Sequence, residues 1–131
     1  MREKINELIP KAMEAITSSK IADKDGNVKK EFKGYIASIG ASIIQAGLLP
    51  TLAFYQNSSG KKADSFKVLD AILLLIKQNG NNEKLISYVI AKSTTDNNLD
   101  KNKLYLIEED IMDAIVAIKL ALRTFKIKDD E

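Results

Sequence analysis

The chain has 131 residues, no cysteine, no histidine and a formal net charge of +2. This length is typical of one domain whose core needs no disulfide or metal to hold it together. Because thiol and imidazole groups are missing, the usual zinc sites and the Cys–His and Ser–His nucleophilic systems are excluded, and we expect no cofactor and no metal.

Positive charge is concentrated in the first part of the chain. Residues 1–62 carry ten Lys or Arg against six Asp or Glu, whereas residues 63–131 carry ten against twelve. Arg2 and Arg123 are the only arginines. Lysine suits diffuse contact with phosphate, whereas paired, planar readout of bases favours arginine. If nucleic acid is a partner, sequence-specific reading of a duplex is the less favoured mode.

Apolar residues recur at steps of three and four along nearly the whole chain, which is typical of helices. A first helix is predicted over residues 2–19, followed by a turn at residues 23–27, where Asp, Gly and Asn cluster. A second helix is predicted over residues 28–46. Gly34 and Gly40 lie inside it, and since a helical glycine costs about 1 kcal/mol relative to alanine, they indicate close approach of another backbone.

The middle of the chain contains two further predicted helices. Gly47 is predicted to cap the second helix, and a short third helix begins near Pro50. After a polar loop, the fourth helix over residues 63–79 is apolar around most of its circumference. Such a helix is typical of the middle of a bundle.

The remainder of the chain is predicted to contain two helices and a short tail. The fifth helix covers residues 83–92, a polar connection covers 93–102, and the last helix covers 103–126. The acidic tail, residues 127–131, is expected to be frayed. No alternating strand pattern is found. We therefore predict an all-α fold, a single compact domain over residues 1–131 with about six helices and a buried apolar fourth helix.

The sequence also predicts where the protein resides. No segment has the pattern of a signal peptide. The longest unbroken apolar run, Ala71 to Ile76, has six residues, far short of the ~20 needed to span a bilayer. We expect a cytoplasmic protein with no membrane partner.

Two short segments have the composition of ligand-binding loops but the wrong spacing. A calcium loop starting at Asp23 would need glycine at Val28 and a carboxylate at Gly34. The Gly60-Lys61 pair lacks the second glycine and the following hydroxyl residue of a phosphate-binding loop. An ordinary turn is therefore predicted at the first segment and a polar loop at the second.

The densest acidic group lies in the last predicted helix and contains Glu108, Glu109, Asp110 and Asp113. Asp70 is a further carboxylate that could approach this group. A two-metal nuclease needs carboxylates that converge on ions about 4 Å apart. Consecutive helical residues fan outward instead, and Asp110 with Asp113 is a single i,i+3 pair. We favour a solvated face or a contact for a basic partner, with a carboxylate-dependent nuclease as an alternative. No catalytic residue is predicted.

The candidate nucleic-acid-binding residues are six lysines from the second helix, the loop after the third helix and the fourth helix: Lys29, Lys30, Lys33, Lys61, Lys62 and Lys67. If the second helix and that loop share one side of the bundle, these lysines form one basic patch that contacts a phosphate backbone. The alternative is a solubilising surface. Tyr35, Phe54 and Tyr55 could stack on unpaired bases, but burial in the core is the default for aromatics at helical spacing.

The stretch from Val28 to Tyr55 resembles the small subunit of the type III-B CRISPR RNA-silencing effector, the Cmr complex. That family carries a helix ending in Gln/Asn-x-Gly-Leu, here residues 45–48, followed by Leu-Ala-Phe and an aromatic or aliphatic residue, here residues 52–55. The segment Lys-Glu-Phe-Lys at residues 30–33 is similar to the family's basic-aromatic entry into the same helix.

The resemblance implies an all-α subunit without enzymatic activity that acts in antiviral defence. Several copies would stack beside the backbone subunits that hold the guide RNA, and together they would line a positively charged channel for target RNA. The implied partners are other Cmr subunits, above all the backbone subunit, further copies of this chain, and guide and target RNA. The alternative is a purely protein–protein helical scaffold with no direct RNA contact.

Overall fold

The structure is a computed structural model that describes residues 2–56, 64–77 and 83–128. Within these ranges the chain forms helices α1 Arg2–Ser18, α2 Glu31–Ala46, α3 Leu48–Gln56, α4 Phe66–Ile76, α5 Leu85–Lys92 and α6 Lys101–Leu122. Four short strands accompany them: β1 Asn27–Lys29, β2 Thr94–Thr95, β3 Asn98–Leu99 and β4 Lys126–Lys128. The all-α fold with about six helices is therefore confirmed.

The core is one connected cluster of buried side chains to which all six helices and β1 contribute. The most extensive packing joins α1 and α6, and α4 packs against both. Besides larger side chains, helices α1 and α6 bury five alanines: Ala12, Ala15, Ala114, Ala117 and Ala121. Small side chains let helix axes approach closely, so this pair forms the centre of the bundle.

The fourth helix is shorter than predicted and is not enclosed on all sides. Its buried residues are Val68, Leu69, Ala71, Ile72, Leu73 and Leu75. Phe66 and Leu74, however, are exposed. The helix therefore buries one broad side against its neighbours, whereas the sequence suggested burial around most of its circumference.

Local signals set the ends of α2 and α6. Gly47 adopts φ 100°, and its N–H donates to the Ile43 carbonyl, so the predicted cap of α2 is confirmed. At the start of α6, the Asp100 carboxylate accepts the N–H groups of Asn102 at 3.0 Å and Lys103 at 3.2 Å. This side-chain cap satisfies two of the amides that a helix start leaves without an intrahelical partner.

The polar connection before α6 is a small hairpin. Strands β2 and β3 pair antiparallel, and the two residues between them, Asp96 and Asn97, have φ of 53° and 65°. Two successive positive φ angles define the two-residue turn whose twist suits a hairpin, and Asp and Asn tolerate that conformation well. The hairpin delivers Asp100 directly to its capping position.

Two predicted helix ends are wrong because β1 and β4 replace them. The second helix was predicted from residue 28 and the last helix to residue 126, but both segments pair as a parallel two-stranded sheet. Val28 pairs with Ile127, and the Lys30 N–H donates to the Lys128 carbonyl at 3.1 Å. The frayed tail expected over residues 127–131 stays a prediction: residues 127–128 belong to β4, and residues 129–131 lie outside the described ranges.

The two glycines inside α2 have different surroundings. A Cβ added at Gly34 would meet nothing within 4 Å, whereas one at Gly40 would lie 3.6 Å from Ile115 Cγ2, an ordinary contact. Packing within the described part of the chain therefore does not require a glycine at either position. The prediction of a close backbone approach from a partner stays open at Gly34, which is exposed.

Replacing Ile118 by alanine tests the centre of the bundle. Ile118 on α6 is fully buried, so Ile118→Ala should lower the free energy of unfolding by about 2–5 kcal/mol. Urea denaturation followed by circular dichroism measures this loss. Val116→Ala on the exposed side of the same helix is the control, with an expected change within about 0.5 kcal/mol. Equal losses for both variants would contradict the described packing.

Replacing Asp100 by alanine tests the cap of α6. The variant Asp100→Ala should lose about 0.5–2 kcal/mol of stability because two amides lose their acceptor. Glu109→Ala, an exposed position on the same helix, is the matched control. Thermal unfolding of both variants gives the comparison, and an unchanged melting temperature for Asp100→Ala would argue against the cap.

Candidate nucleic-acid interface

Three of the predicted lysines lie together where β1 leads into α2. Lys29 ends β1, Lys30 directly precedes α2, and Lys33 lies in the first turn of that helix. All three side chains are exposed. The ion pairs found in the described part of the chain involve other lysines. The charge of these three lysines is therefore available to a partner.

The fold adds two lysines that the sequence analysis missed. In the β1–β4 register, Lys29 lies opposite Lys128 and Asn27 lies opposite Lys126. Along β4 the burial alternates, so that Lys126 and Lys128 are exposed while Ile127 packs against the core. We call Lys29, Lys30, Lys33, Lys126 and Lys128 the basic ribbon. A short Lys-Ile-Lys alternation was the only local signal for its C-terminal part.

Among the described residues, Asp23 and Glu31 are carboxylates near the basic ribbon, and both are engaged by local hydrogen bonds. Asp23 Oδ1 accepts the backbone N–H groups of Asp25 and Asn27, each at 2.9 Å. The bond from Asn27, above all, holds the pKa of Asp23 below its usual range, and the charge of Lys128 acts in the same direction. Glu31 Oε2 accepts the Tyr35 hydroxyl at 2.8 Å. The five lysines of the ribbon therefore outnumber these two carboxylates, while Asp129, Asp130 and Glu131, which follow Lys128 in the sequence, lie outside the described ranges.

These hydrogen bonds also define the turn at residues 23–27. Gly26 has φ 79°, a conformation that glycine adopts without steric cost. Its N–H donates to the Asp23 carbonyl at 3.0 Å. The prediction of an ordinary turn at this segment is confirmed.

The remaining three predicted lysines are not joined to the ribbon by the described structure. Lys67 lies in the first turn of α4, where its Nζ is 3.6 Å from Asp64 Oδ1 and its side chain is half-buried. Lys61 and Lys62 lie outside the described residues. A single patch that unites all six lysines therefore stays a prediction.

Two of the three candidate stacking aromatics belong to the core. Tyr35 and Tyr55 are buried, so their rings are not available to unpaired bases. Phe54 is more than half exposed and packs edge-on against Tyr55, with ring centroids 5.0 Å apart. Burial was the default expectation, and Phe54 departs from it because α3 turns that side of the helix outward.

The acidic group on α6 is occupied by a lysine of the same chain. Lys4 Nζ lies 2.7 Å from Asp110 Oδ1 and 3.2 Å from Asp113 Oδ2. The hydrogen bond to Asp110, above all, raises the pKa of Lys4. In the described ranges, no group of three acidic residues is arranged to hold a metal ion. The cluster therefore contributes an ion-pair network between α1 and α6.

Asp70, the further carboxylate considered from the sequence, does not belong to this ion-pair network. It lies on α4, and burial raises its pKa above the usual range. The ion pairs of the described residues do not include it.

In the same part of the chain, no helix has both the length and the apolar character needed to cross a membrane.

The fold and the ribbon define a helical protein with a localised lysine-rich surface. Residues 5–119 match the family of CRISPR-associated proteins designated Cas_Cmr5, and the chain belongs to this family. Comparison with curated proteins and with solved structures gave no significant match. The resemblance to a Cmr-type subunit is thus confirmed at the level of the family. The matched range includes α2 and ends before β4, so Lys126 and Lys128 lie beyond it.

The variant Lys4→Met tests the pairing between α1 and α6. Exposed ion pairs contribute little, so the free energy of unfolding should fall by less than about 1 kcal/mol at pH 7. Because native pairing raises the pKa of Lys4, this contribution is present below the ordinary lysine pKa of about 10.4 and is lost as pH rises through the higher native pKa.

Urea unfolding of the wild type and Lys4→Met across pH 7–11 measures the difference. Lys11→Met, on the same helix and exposed, is the control and should show no comparable dependence on pH. A difference that stays constant through the alkaline range would contradict the pairing of Lys4.

Proposed function

We propose that this chain is a non-catalytic small subunit of a type III-B CRISPR (Cmr) ribonucleoprotein effector. Several copies stack and line the channel for guide-paired target RNA in antiviral defence in the cytoplasm. The partners are other Cmr subunits, especially the backbone subunit, further copies of the chain, and guide and target RNA. Family membership over residues 5–119 is the observation that carries this proposal.

The basic ribbon supports the RNA-contacting part of the proposal. In an RNA-guided effector, base pairing between guide and target reads the sequence, so the protein has only to recognise shape and phosphate charge. Lysines meet that need because their ammonium groups neutralise phosphates without reading bases. Contacts that are weak in one subunit add up when several copies contact the same RNA.

The described chemistry supports a non-catalytic role. The sequence has no histidine or cysteine, and the densest acidic group is paired with Lys4. Cleavage of target RNA is assigned to other subunits of the effector. Metal-dependent RNA cleavage by the purified chain, abolished in Asp110→Asn, would be needed to restore the nuclease alternative.

Exposed apolar residues support the protein–protein contacts that stacking requires. Ile44, Phe54, Tyr105 and Leu106 are each more than half exposed, and exposed apolar surface of this kind commonly marks protein interfaces when it is contiguous. Gly34 on the outer side of α2 leaves open space where a Cβ would stand. This side of α2 can accommodate the close approach of a stacked subunit.

The same exposed apolar residues favour the second candidate function, a helical scaffold subunit without RNA contact. In that case the ribbon lysines only keep the surface soluble. The two functions differ in one measurable property, which is the effect of ribbon charge on RNA affinity in the assembled effector.

Reversing the charge of Lys29, Lys33, Lys61 and Lys62 to Glu tests the proposed function. The assembled effector should bind target RNA more weakly, and the slope of log affinity against log salt should fall by about 0.7 for each phosphate that is no longer neutralised. Filter binding at several salt concentrations measures both quantities. The variant chain should keep its helical circular dichroism spectrum because Lys29 and Lys33 are exposed.

The matched control reverses four exposed lysines outside the ribbon, namely Lys11, Lys84, Lys101 and Lys119. It should leave the affinity and the salt slope unchanged. RNA binding that is identical for the four-lysine variant and the wild type at every salt concentration would refute RNA contact by these lysines and favour the scaffold.

A further inference from the structure

The C-terminal strand β4 carries charge that neither the predicted patch nor the family match includes. The match ends at residue 119, and β4 follows at Lys126–Lys128. We infer that Lys126 and Lys128, together with Lys29 of β1, form a strand-borne contact for the phosphate backbone of an RNA strand. This inference rests on the proposed function and extends the RNA-contacting surface to β4.

The register of the two strands gives these three lysines one outward face. Val28 and Ile127 are paired and point towards the core, so their neighbours Lys29 and Lys128 project to the opposite side. Lys126 lies on that outward side as well, since residues two apart in a strand share a face. All three are exposed.

Strand geometry suits a repeating anion. Two residues along a strand span about 6.6 Å, and neighbouring strands lie about 4.8 Å apart. The Cα atoms of Lys126 and Lys128 therefore lie about 6.6 Å apart, a spacing of the same order as that of successive phosphates in an RNA strand.

The pairing also holds the lysines at a defined place. The Lys30 N–H donates to the Lys128 carbonyl at 3.1 Å, which ties the end of β4 to the start of α2. Val28 is fully buried beneath the strands. A backbone that is already ordered loses less conformational entropy on binding RNA than a free tail does. The ribbon is therefore formed before RNA arrives.

Among the described charged groups, Asp23 lies near the lysines of β4, whereas Asp129, Asp130 and Glu131, which follow β4 in the sequence, lie outside the described ranges. Asp23 is near enough for the charge of Lys128 to lower its pKa. The ion pairs within 4.0 Å in the described ranges nevertheless include neither Lys126 nor Lys128. Asp23 Oδ1 is instead occupied by backbone amides of its own turn.

A competing explanation is that these lysines protect the open edge of β4. Lysine on an edge strand discourages pairing with strands of other molecules. Edge protection and RNA contact respond differently to removal of the charge, because protection concerns self-association whereas contact concerns RNA affinity and its dependence on salt. One set of variants separates them.

The experiment uses the full chain assembled into its effector and carrying Lys126→Glu with Lys128→Glu, Lys126→Gln with Lys128→Gln, or Lys126→Arg with Lys128→Arg. Target RNA is titrated at several salt concentrations. The Glu pair should weaken binding most and lower the salt slope by about 1.4, the Gln pair should be intermediate, and the Arg pair should bind as the wild type does. Lys84→Glu with Lys101→Glu is the charge-matched control.

The outcomes distinguish this inference from the proposed function. If the reversal of Lys29, Lys33, Lys61 and Lys62 weakens RNA binding while the Glu pair on β4 does not, the inference is overturned and the proposed function stands. If neither reversal has an effect, both fail. If the Gln pair aggregates while its monodisperse fraction binds RNA with wild-type affinity and salt slope, the lysines protect the edge and the inference is overturned.

Discussion

The parallel pairing of β1 with β4 is the interaction on which the basic ribbon depends. It joins the segment before α2 to the segment after α6, and it directs Val28 and Ile127 inward and Lys29 and Lys128 outward. Val28 is fully buried and Ile127 partly buried, and their burial stabilises the strands, since a fully buried aliphatic side chain contributes about 1.5–3 kcal/mol. Without this pairing the lysines of the C-terminal segment would have no fixed place beside those of α2.

The residues near the two ends of helix α6 differ in character. Helix α6 has 22 residues and is therefore about 33 Å long, with the ribbon beyond its C-terminus. Tyr105 and Leu106, both more than half exposed, lie near its N-terminus. The lysines of β4 thus follow one end of this helix, and the exposed Tyr105 and Leu106 lie towards the other. That separation suits a subunit that contacts RNA and neighbouring proteins at the same time.

The helices and several of their boundaries were predictable from local sequence, whereas the ribbon was not. Periodicity identified the six helices, and Gly47 marked the end of α2 because a helix cap is a local property. Strands β1 and β4 have only three residues each and pair across almost the whole chain. No local period can show such pairing, so Lys126 and Lys128 were missed. Phe54 was misjudged because helical spacing does not show which side of α3 faces the core.

Crosslinking of target RNA inside the assembled effector, followed by mass spectrometry of the crosslinked peptides, tests most directly whether this chain contacts RNA. Such a subunit would act through its shape and its positive charge. The basic ribbon is a cluster of exposed lysines that can supply this charge. The account predicts crosslinks to peptides of this chain that contain residues 29–33 and 126–128. Crosslinks confined to the other subunits would contradict it and leave the chain as a scaffold.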